Sequence, residues 1–147
     1  RFLRTHQIDF EPYIYVYEEH GGTGQFAQLF GVDEHQVVKT IVLQNEAKKG
    51  LVVVMHGDKQ ISTRNLARDL GMKHIEPANP KQANKWTGYL VGGTTPFGMK
   101  TRLPVYVEKS IWDLEKVYIN GGKRGFIICI SSQALRALNP QDVQVAV

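Results

Sequence analysis

Apolar residues along this chain fall into short runs separated by glycine, proline and asparagine, the punctuation of a fold built largely on strands. The longest runs, Leu51-Val52-Val53-Val54-Met55 and Phe126-Ile127-Ile128-Cys129-Ile130, have strand length and are far too short to cross a bilayer. Further strands are predicted at residues 12–17, where aromatic and β-branched residues concentrate, and at 36–43, 89–91, 105–107 and 116–119. Residues 73–76 read as a short edge and 143–145 as an added strand. The polar stretch 45–50 makes a hairpin of 36–43 and 51–55, and 120–125 is a turn before the strand at 126–130.

Helices alternate with these runs. Residues 1–6 read as the tail of a helix. Thr23 caps a second helix running to Phe30, whose Phe26, Leu29 and Phe30 share a face, with Gly31 as its stop. That helix packs by Phe26 and Phe30. Ser62 or Thr63 caps a helix over 64–70 closed by Gly71, and Asn79-Pro80 starts another that ends near Trp86. Ser131 or Ser132 caps a last helix to Leu138, which Asn139-Pro140 breaks. With no repeat, linker or low-complexity tract, residues 1–147 read as a single α/β domain with a mixed sheet.

Composition adds bounds to this picture. A chain of 147 residues that is 42% hydrophobic can fill a core without metal or disulfide help. The single cysteine, Cys129, lies inside an apolar run and reads as a buried, reduced thiol; no signal-peptide pattern precedes the first strand, so the cytoplasm is expected. A formal charge of +4 is compatible with a polyanionic partner, and Lys81, Lys85, Lys100, Arg102, Lys123 and Arg124 all flank glycine loops or turns.

Two features stand out as candidate chemistry. The segment Thr87-Gly88-Tyr89-Leu90-Val91-Gly92-Gly93-Thr94-Thr95-Pro96-Phe97-Gly98 runs from a short apolar strand into a loop dense in glycine and hydroxyls. Gly92, Gly93 and Gly98 permit positive φ and close approach, and Pro96 stiffens the loop. It is either a wide turn between 89–91 and 103–107 or a binding loop that presents N–H groups and hydroxyls outward. Lys39 interrupts Val37-Val38 and Ile41-Val42; it either snorkels to solvent or sits in a cleft to meet a negative or carbonyl group, with Thr40 pointing to the opposite face. The five histidines show no helical ligand spacing and no cysteine pair joins them, so neither a metal nor another cofactor is expected. No nucleophile elbow, phosphate loop or dinucleotide fingerprint occurs.

Taken together, Val38-Lys39-Thr40-Ile41-Val42, the glycine loop and Asn120-Gly121-Gly122-Lys123-Arg124-Gly125, in this order, resemble the YbaK family of aminoacyl-tRNA editing domains. The resemblance covers nearly the whole chain. It implies a compact domain with a partly barrel-like mixed sheet and short helices. It implies hydrolysis of the ester between a wrong amino acid and its transfer RNA, typically cysteine or alanine on prolyl-tRNA. Lys39 is then the key pocket residue, joined by Gly92, Gly93, Thr94 and Thr95 around the ester, with Tyr17, Thr40, Pro96, Gly98 and Gly121 as substrate contacts. Mischarged tRNA is the implied partner, with prolyl-tRNA synthetase a second and no membrane involved.

The chemistry suits these residues. An aminoacyl ester is already activated, so the amides of residues 92–95 can hold the oxyanion while Lys39 meets the carbonyl, ribose or a phosphate. Lys100, Arg102, Lys123 and Arg124 would grip the acceptor stem through phosphates. The nucleophile is either a water set by Thr94 or Thr95 or the thiol of a cysteine substrate. Two departures from some relatives, the short segment around Gly21-Gly22-Thr23 and Ile127 in place of an aspartate, leave open which amino acid is removed. Ile127 also favours the competing class, a non-catalytic tRNA- or synthetase-binding module on the same fold.

Overall fold

A computed structural model describes residues 1–147. In chain order the elements are α1 (Phe2–Thr5), β1 (Glu11–Ile14), α2 (Gly22–Phe30), a 3-10 turn at Glu34–Gln36, β2 (Val38–Asn45), β3 (Gly50–His56) and α3 (Thr63–Leu70). Then come β4 (Ile75–Pro77), α4 (Pro80–Thr87), β5 (Val105–Glu108), a 3-10 helix at Lys109–Asp113, β6 (Lys116–Lys123), β7 (Phe126–Ser131), a 3-10 helix at Ser132–Leu138 and β8 (Gln141–Val143).

The strands form two sheets rather than one. The smaller is antiparallel in the order β1-β7-β6, and the larger is mixed in the order β4-β2-β3-β5-β8. In the larger, β3 pairs antiparallel with β2 and parallel with β5. A parallel bridge between Val37 and Tyr118 joins the two sheets along one side, giving the partly closed, barrel-like arrangement. The inner face of β3, Val52 and Val54, shares one apolar cluster with Ile119 and Ile128 of the small sheet. Its outer face, Leu51, Val53 and Met55, packs on Leu66 and Ala67 of α3. Burial on both faces is why β3 reads as an unbroken apolar run.

Local signals hold at the helix ends. Ser62 accepts from the Asn65 amide, Asn79 accepts from the Gln82 amide with Pro80 in the first turn, and Gly71 and Gly88 end α3 and α4 in left-handed conformations. The 36–43 and 51–55 hairpin is present as β2 and β3.

Several expectations are corrected. Residues 89–91 form no strand, because left-handed Gly88 turns the chain out of α4 and the carbonyls of Tyr89, Leu90 and Val91 accept from Asn84, Gly93 and Arg124. The first strand stops at Ile14, after which the Tyr15 amide crosses to Gly125. The 120–125 turn is shorter than read, since β6 continues to Lys123 through a register shift after Asn120. The final helix is 3-10, and the last strand precedes residue 144. Thr23 does not cap α2 and Leu29 is exposed, while Phe26 and Phe30 do pack the helix: Phe26 is fully buried, and the more exposed Phe30 makes T-shaped contacts with Tyr13 and Tyr15 and tilts against Phe26. Cys129 is half-buried, its thiol pKa pushed up by that burial.

Candidate active site

The loop after α4 is closed at its base. The amides of Lys100 and Thr101 donate back to Thr87 and Trp86, 3.1 and 2.7 Å away, so residues 88–99 make a compact excursion from the end of one helix. Phe97 roots it in the main core, and Tyr89 Oη donates to the carbonyls of Phe97 and Gly98. Thr94 and Thr95 are buried instead of facing outward, and the Thr94 hydroxyl donates to Leu90 O at 3.3 Å.

Glycine is required in this loop for packing. A Cβ on Gly92, whose φ is +93°, would lie 2.5 Å from the Tyr17 hydroxyl; one on Gly93 would lie 2.7 Å from the Lys123 carbonyl carbon. Gly93 therefore seats the loop directly on the β6–β7 hairpin. Arg124 closes the same contact, donating from Nε to Val91 O at 2.7 Å while its guanidinium lies 5.0 Å from the centre of the Tyr17 ring.

Under this clasp lies a cavity of about 750 Å³. Among its walls are Tyr17, Lys39, Thr40, Gly92, Thr94 and Arg124, so six of the residues singled out in the sequence converge on one space. Apolar side chains of Val38, Val42, Ala83 and Ile127 line it as well. A second cavity of about 370 Å³, beside α1, takes Thr95, Gly98 and Gly121. Gly93 and Pro96 are buried behind the walls of both, and Lys100, Arg102 and Lys123 are exposed outside them. The fourteen predicted positions thus divide among two cavities, a buried seam and a surface.

Lys39 sits where β2 meets the cavity. Its Nζ donates to the Gly57 carbonyl at 3.4 Å and takes part in none of the ion pairs. Burial lowers its pKa from the ordinary lysine value, opposed by the charges of Glu34 and Asp58. Thr40 Oγ1 is buried without a hydrogen-bond partner, an open valence in the wall. The Gly93 amide is spent on Leu90 O at 2.9 Å, which removes it as an oxyanion donor. The amides of Gly92 and Thr94 carry no such bond, and both residues line the cavity.

Sequence reasoning missed the support behind Lys39. Thr23, read as a helix cap, donates to Glu34 Oε2 at 2.7 Å and lies 3.3 Å from Gly57 O. It also missed a grouping of His35, His56 and Asp58, whose ligand atoms lie within 4.8 Å of one another although their spacing signals nothing. Both nitrogens of His56 are committed, Nδ1 to His35 O at 2.8 Å and Nε2 to Ser110 Oγ at 2.7 Å. The two imidazoles stack at 3.7 Å and 8°, so their lone pairs run side by side and do not converge on a common ion. Hairpin pairing brings residues 35, 56 and 58 together, and no local pattern encodes that.

The chain resembles known proteins along most of its length. It is 27% identical over 139 residues to the "Putative Cys-tRNA(Pro)/Cys-tRNA(Cys) deacylase EbsC" of Enterococcus faecalis, covering 94% of this chain and 85% of that one. A proline–tRNA ligase of Brachyspira hyodysenteriae matches at 26% over 96 residues, which is 65% of this chain but 17% of the ligase. Among solved structures, "a putative trans-editing enzyme for prolyl tRNA synthetase" superposes with a TM-score of 0.85 at 21% identity, over 99% of this chain and 92% of that one, and so shares the fold. The model of the aminoacyl-tRNA editing domain matches residues 20–138, a span that holds Lys39, Thr40, the glycine loop and the β6–β7 hairpin, with Tyr17 just ahead of it, and this chain belongs to that family.

Proposed function

We propose that this chain hydrolyses the ester joining a wrongly attached amino acid to the terminal ribose of a transfer RNA, with cysteine or alanine on prolyl-tRNA as substrates. The observation that carries the reading is the meeting, in one cavity, of an ammonium without an ion-pair partner at Lys39 and unbonded amides at Gly92 and Thr94. Attack on the ester carbonyl puts negative charge on its oxygen, and each well-aimed amide there contributes about 3 kcal/mol to the transition state. Lys39 adds a positive charge in a partly desolvated wall, where it counts for more than in water. The nucleophile's new bond to the carbonyl carbon, C–O from water or C–S from a thiol, gives the tetrahedral oxyanion; its collapse breaks the ester C–O bond, and the ribose oxygen leaves as a hydroxyl carrying the proton the nucleophile gives up. With alanine the nucleophile is water; with cysteine the substrate's thiol can also attack, the resulting thiolactone then hydrolysing.

The similarity to EbsC supports cysteine, and the region matched in proline–tRNA ligases supports tRNA(Pro) and its synthetase as partners. Lys100, Arg102 and Lys123, exposed around the loop and hairpin, supply phosphate contacts for the acceptor stem. No helix is long and apolar enough to cross a membrane.

Incubation with cysteinyl- and alanyl-tRNA(Pro), followed by the release of the amino acid, tests the proposal. Release from either, with the matched prolyl-tRNA spared, is expected. Binding of both without release favours the non-catalytic module, for which the buried Ile127 in the cavity wall is the specific observation.

A further inference from the structure

The surroundings of Lys39 hold a second layer of order. Glu34 lies five residues before it and is one of two carboxylates, with Asp58, whose charge bears on the amine. Yet Glu34 makes no ion pair with Lys39. Its Oε2 instead accepts a 2.7 Å hydrogen bond from Thr23 at the start of α2. The same hydroxyl lies 3.3 Å from the Gly57 carbonyl, which is also the acceptor for Lys39 Nζ at 3.4 Å.

Gly57 reveals what this arrangement requires. Its φ is outside the left-handed region, so the backbone there does not call for glycine. A Cβ would instead meet the Val37 carbonyl and would lie 2.5 Å from Thr23 Oγ1. The missing side chain makes room for Thr23 to reach the turn.

We propose that Thr23 is a positioning residue for Lys39: its hydroxyl holds the Glu34 carboxylate aside, so that the ammonium stays free of an ion pair and open to the cavity. A carboxylate released from Thr23 would close on the nearest cation, and an ion-paired lysine is a weaker partner for a substrate carbonyl or phosphate. The inference rests on the proposed deacylase reading only for what Lys39 does, not for how it is held.

Charged and titratable groups lie around Lys39 on several elements. Glu34 and Asp58 lie on the flanking turns, His35 and His56 beside them, and Tyr15, Tyr17, Glu19, His20 and Arg124 line the same cavity. A test must therefore separate Glu34 from the rest. The variants are Thr23→Val, Thr23→Ser, Glu34→Gln and the double Thr23→Val/Glu34→Gln. Two readouts are taken: kcat and KM for deacylation of cysteinyl-tRNA(Pro), and the pH dependence of Lys39 acetylation by acetic anhydride, followed by mass spectrometry.

Thr23→Val is expected to raise the apparent pKa of Lys39, slow its acetylation at fixed pH and cut kcat/KM by on the order of 10- to 100-fold. Thr23→Ser keeps parental behaviour. Glu34→Gln lowers the apparent pKa, and the double variant recovers most of the loss, because no carboxylate remains to be released. A double variant as impaired as Thr23→Val would show that Thr23 acts only by supporting α2, and overturns the proposal; so does an unchanged Lys39 titration in Thr23→Val. If the parental protein releases no amino acid while the titrations shift as expected, the positioning stands and the deacylase reading falls.

Discussion

Gly93→Ala tests whether the glycine loop acts by where it is seated. The added Cβ would stand 2.7 Å from the Lys123 carbonyl carbon and 2.8 Å from Lys123 Cα and Arg124 N. These are backbone atoms of a paired hairpin and cannot rotate away. Restoring an ordinary contact of about 3.5 Å requires loop and hairpin to part by about 0.8 Å. Such overpacking costs about 1–3 kcal/mol, which for a chain of this size is a loss of roughly 2–12 °C in melting temperature. Gly93 itself lines neither cavity, but Gly92 and Thr94 on either side line the large one, so the shift moves both free amides. A displacement approaching 1 Å at a positioned group costs up to about 100-fold in rate. Gly71→Ala is the control: its φ is +69° with open space around the added Cβ, so it loses about 1 kcal/mol from backbone strain and no turnover. Calorimetry and deacylation per folded molecule are measured on the same preparations. A Gly93→Ala protein that melts and turns over like the parent would refute the seating argument.

Three further outcomes are expected. Lys39→Ala removes turnover while the melting temperature stays close to parental, because the amine makes a single long hydrogen bond to Gly57 O; parental turnover would take Lys39 out of the chemistry. Lys100→Ala/Arg102→Ala flattens the salt dependence of tRNA binding by about two units of slope if both meet phosphates, whereas Arg124→Lys keeps the slope and loses turnover, since lysine cannot reproduce the Nε bond to Val91 and the stacking on Tyr17; equal effects from both would assign Arg124 to phosphate alone. His56 is buried, and that burial lowers its pKa, so the unfolded chain takes up its proton first as pH falls below about 6.5. Stability is then full above that value and declines below it by up to about 1.4 kcal/mol per pH unit for this proton until the folded pKa is reached. Urea unfolding between pH 7 and 5 should show this slope, and His56→Gln should flatten it.

The elements legible in the sequence are those set by neighbours in the chain. Ser62, Asn79, Pro80, Gly71 and Gly88 act within four residues of themselves, and each does what its type predicts. Lys39 stood out because an amine in an apolar strand conflicts with local pattern, and such conflicts concentrate at functional positions. The failures share a different cause. Residues 89–91 have strand composition, but an Arg124 side chain from 33 positions away and a helix-ending glycine claim their backbone. Thr23 has the composition of a cap and spends its hydroxyl on Glu34, eleven residues on. The sorting of Thr95, Gly98 and Gly121 into a separate cavity follows from how the loop folds over α1, which composition does not encode.

The glycines carry this argument furthest. Read in one dimension, Gly92 and Gly93 form a flexible pair, and flexibility suggests a loop that yields to a ligand. In three dimensions each glycine is the vacancy into which another segment fits: the Tyr17 ring at Gly92, the Lys123–Arg124 backbone at Gly93. The loop is thereby fixed from two sides before any substrate arrives, and the amides of Gly92 and Thr94 are held in place without help from it. Preorganisation of that kind is what an ester-hydrolysing site without a strong base needs, because donors already in position spend no reorganisation energy when charge develops. Gly57 repeats the device beside Lys39, where the absent side chain admits Thr23 to the carbonyl that Lys39 also meets. The two kinds of group that would meet the ester, the loop amides and the Lys39 amine, are therefore both set beside close approaches that only glycine permits.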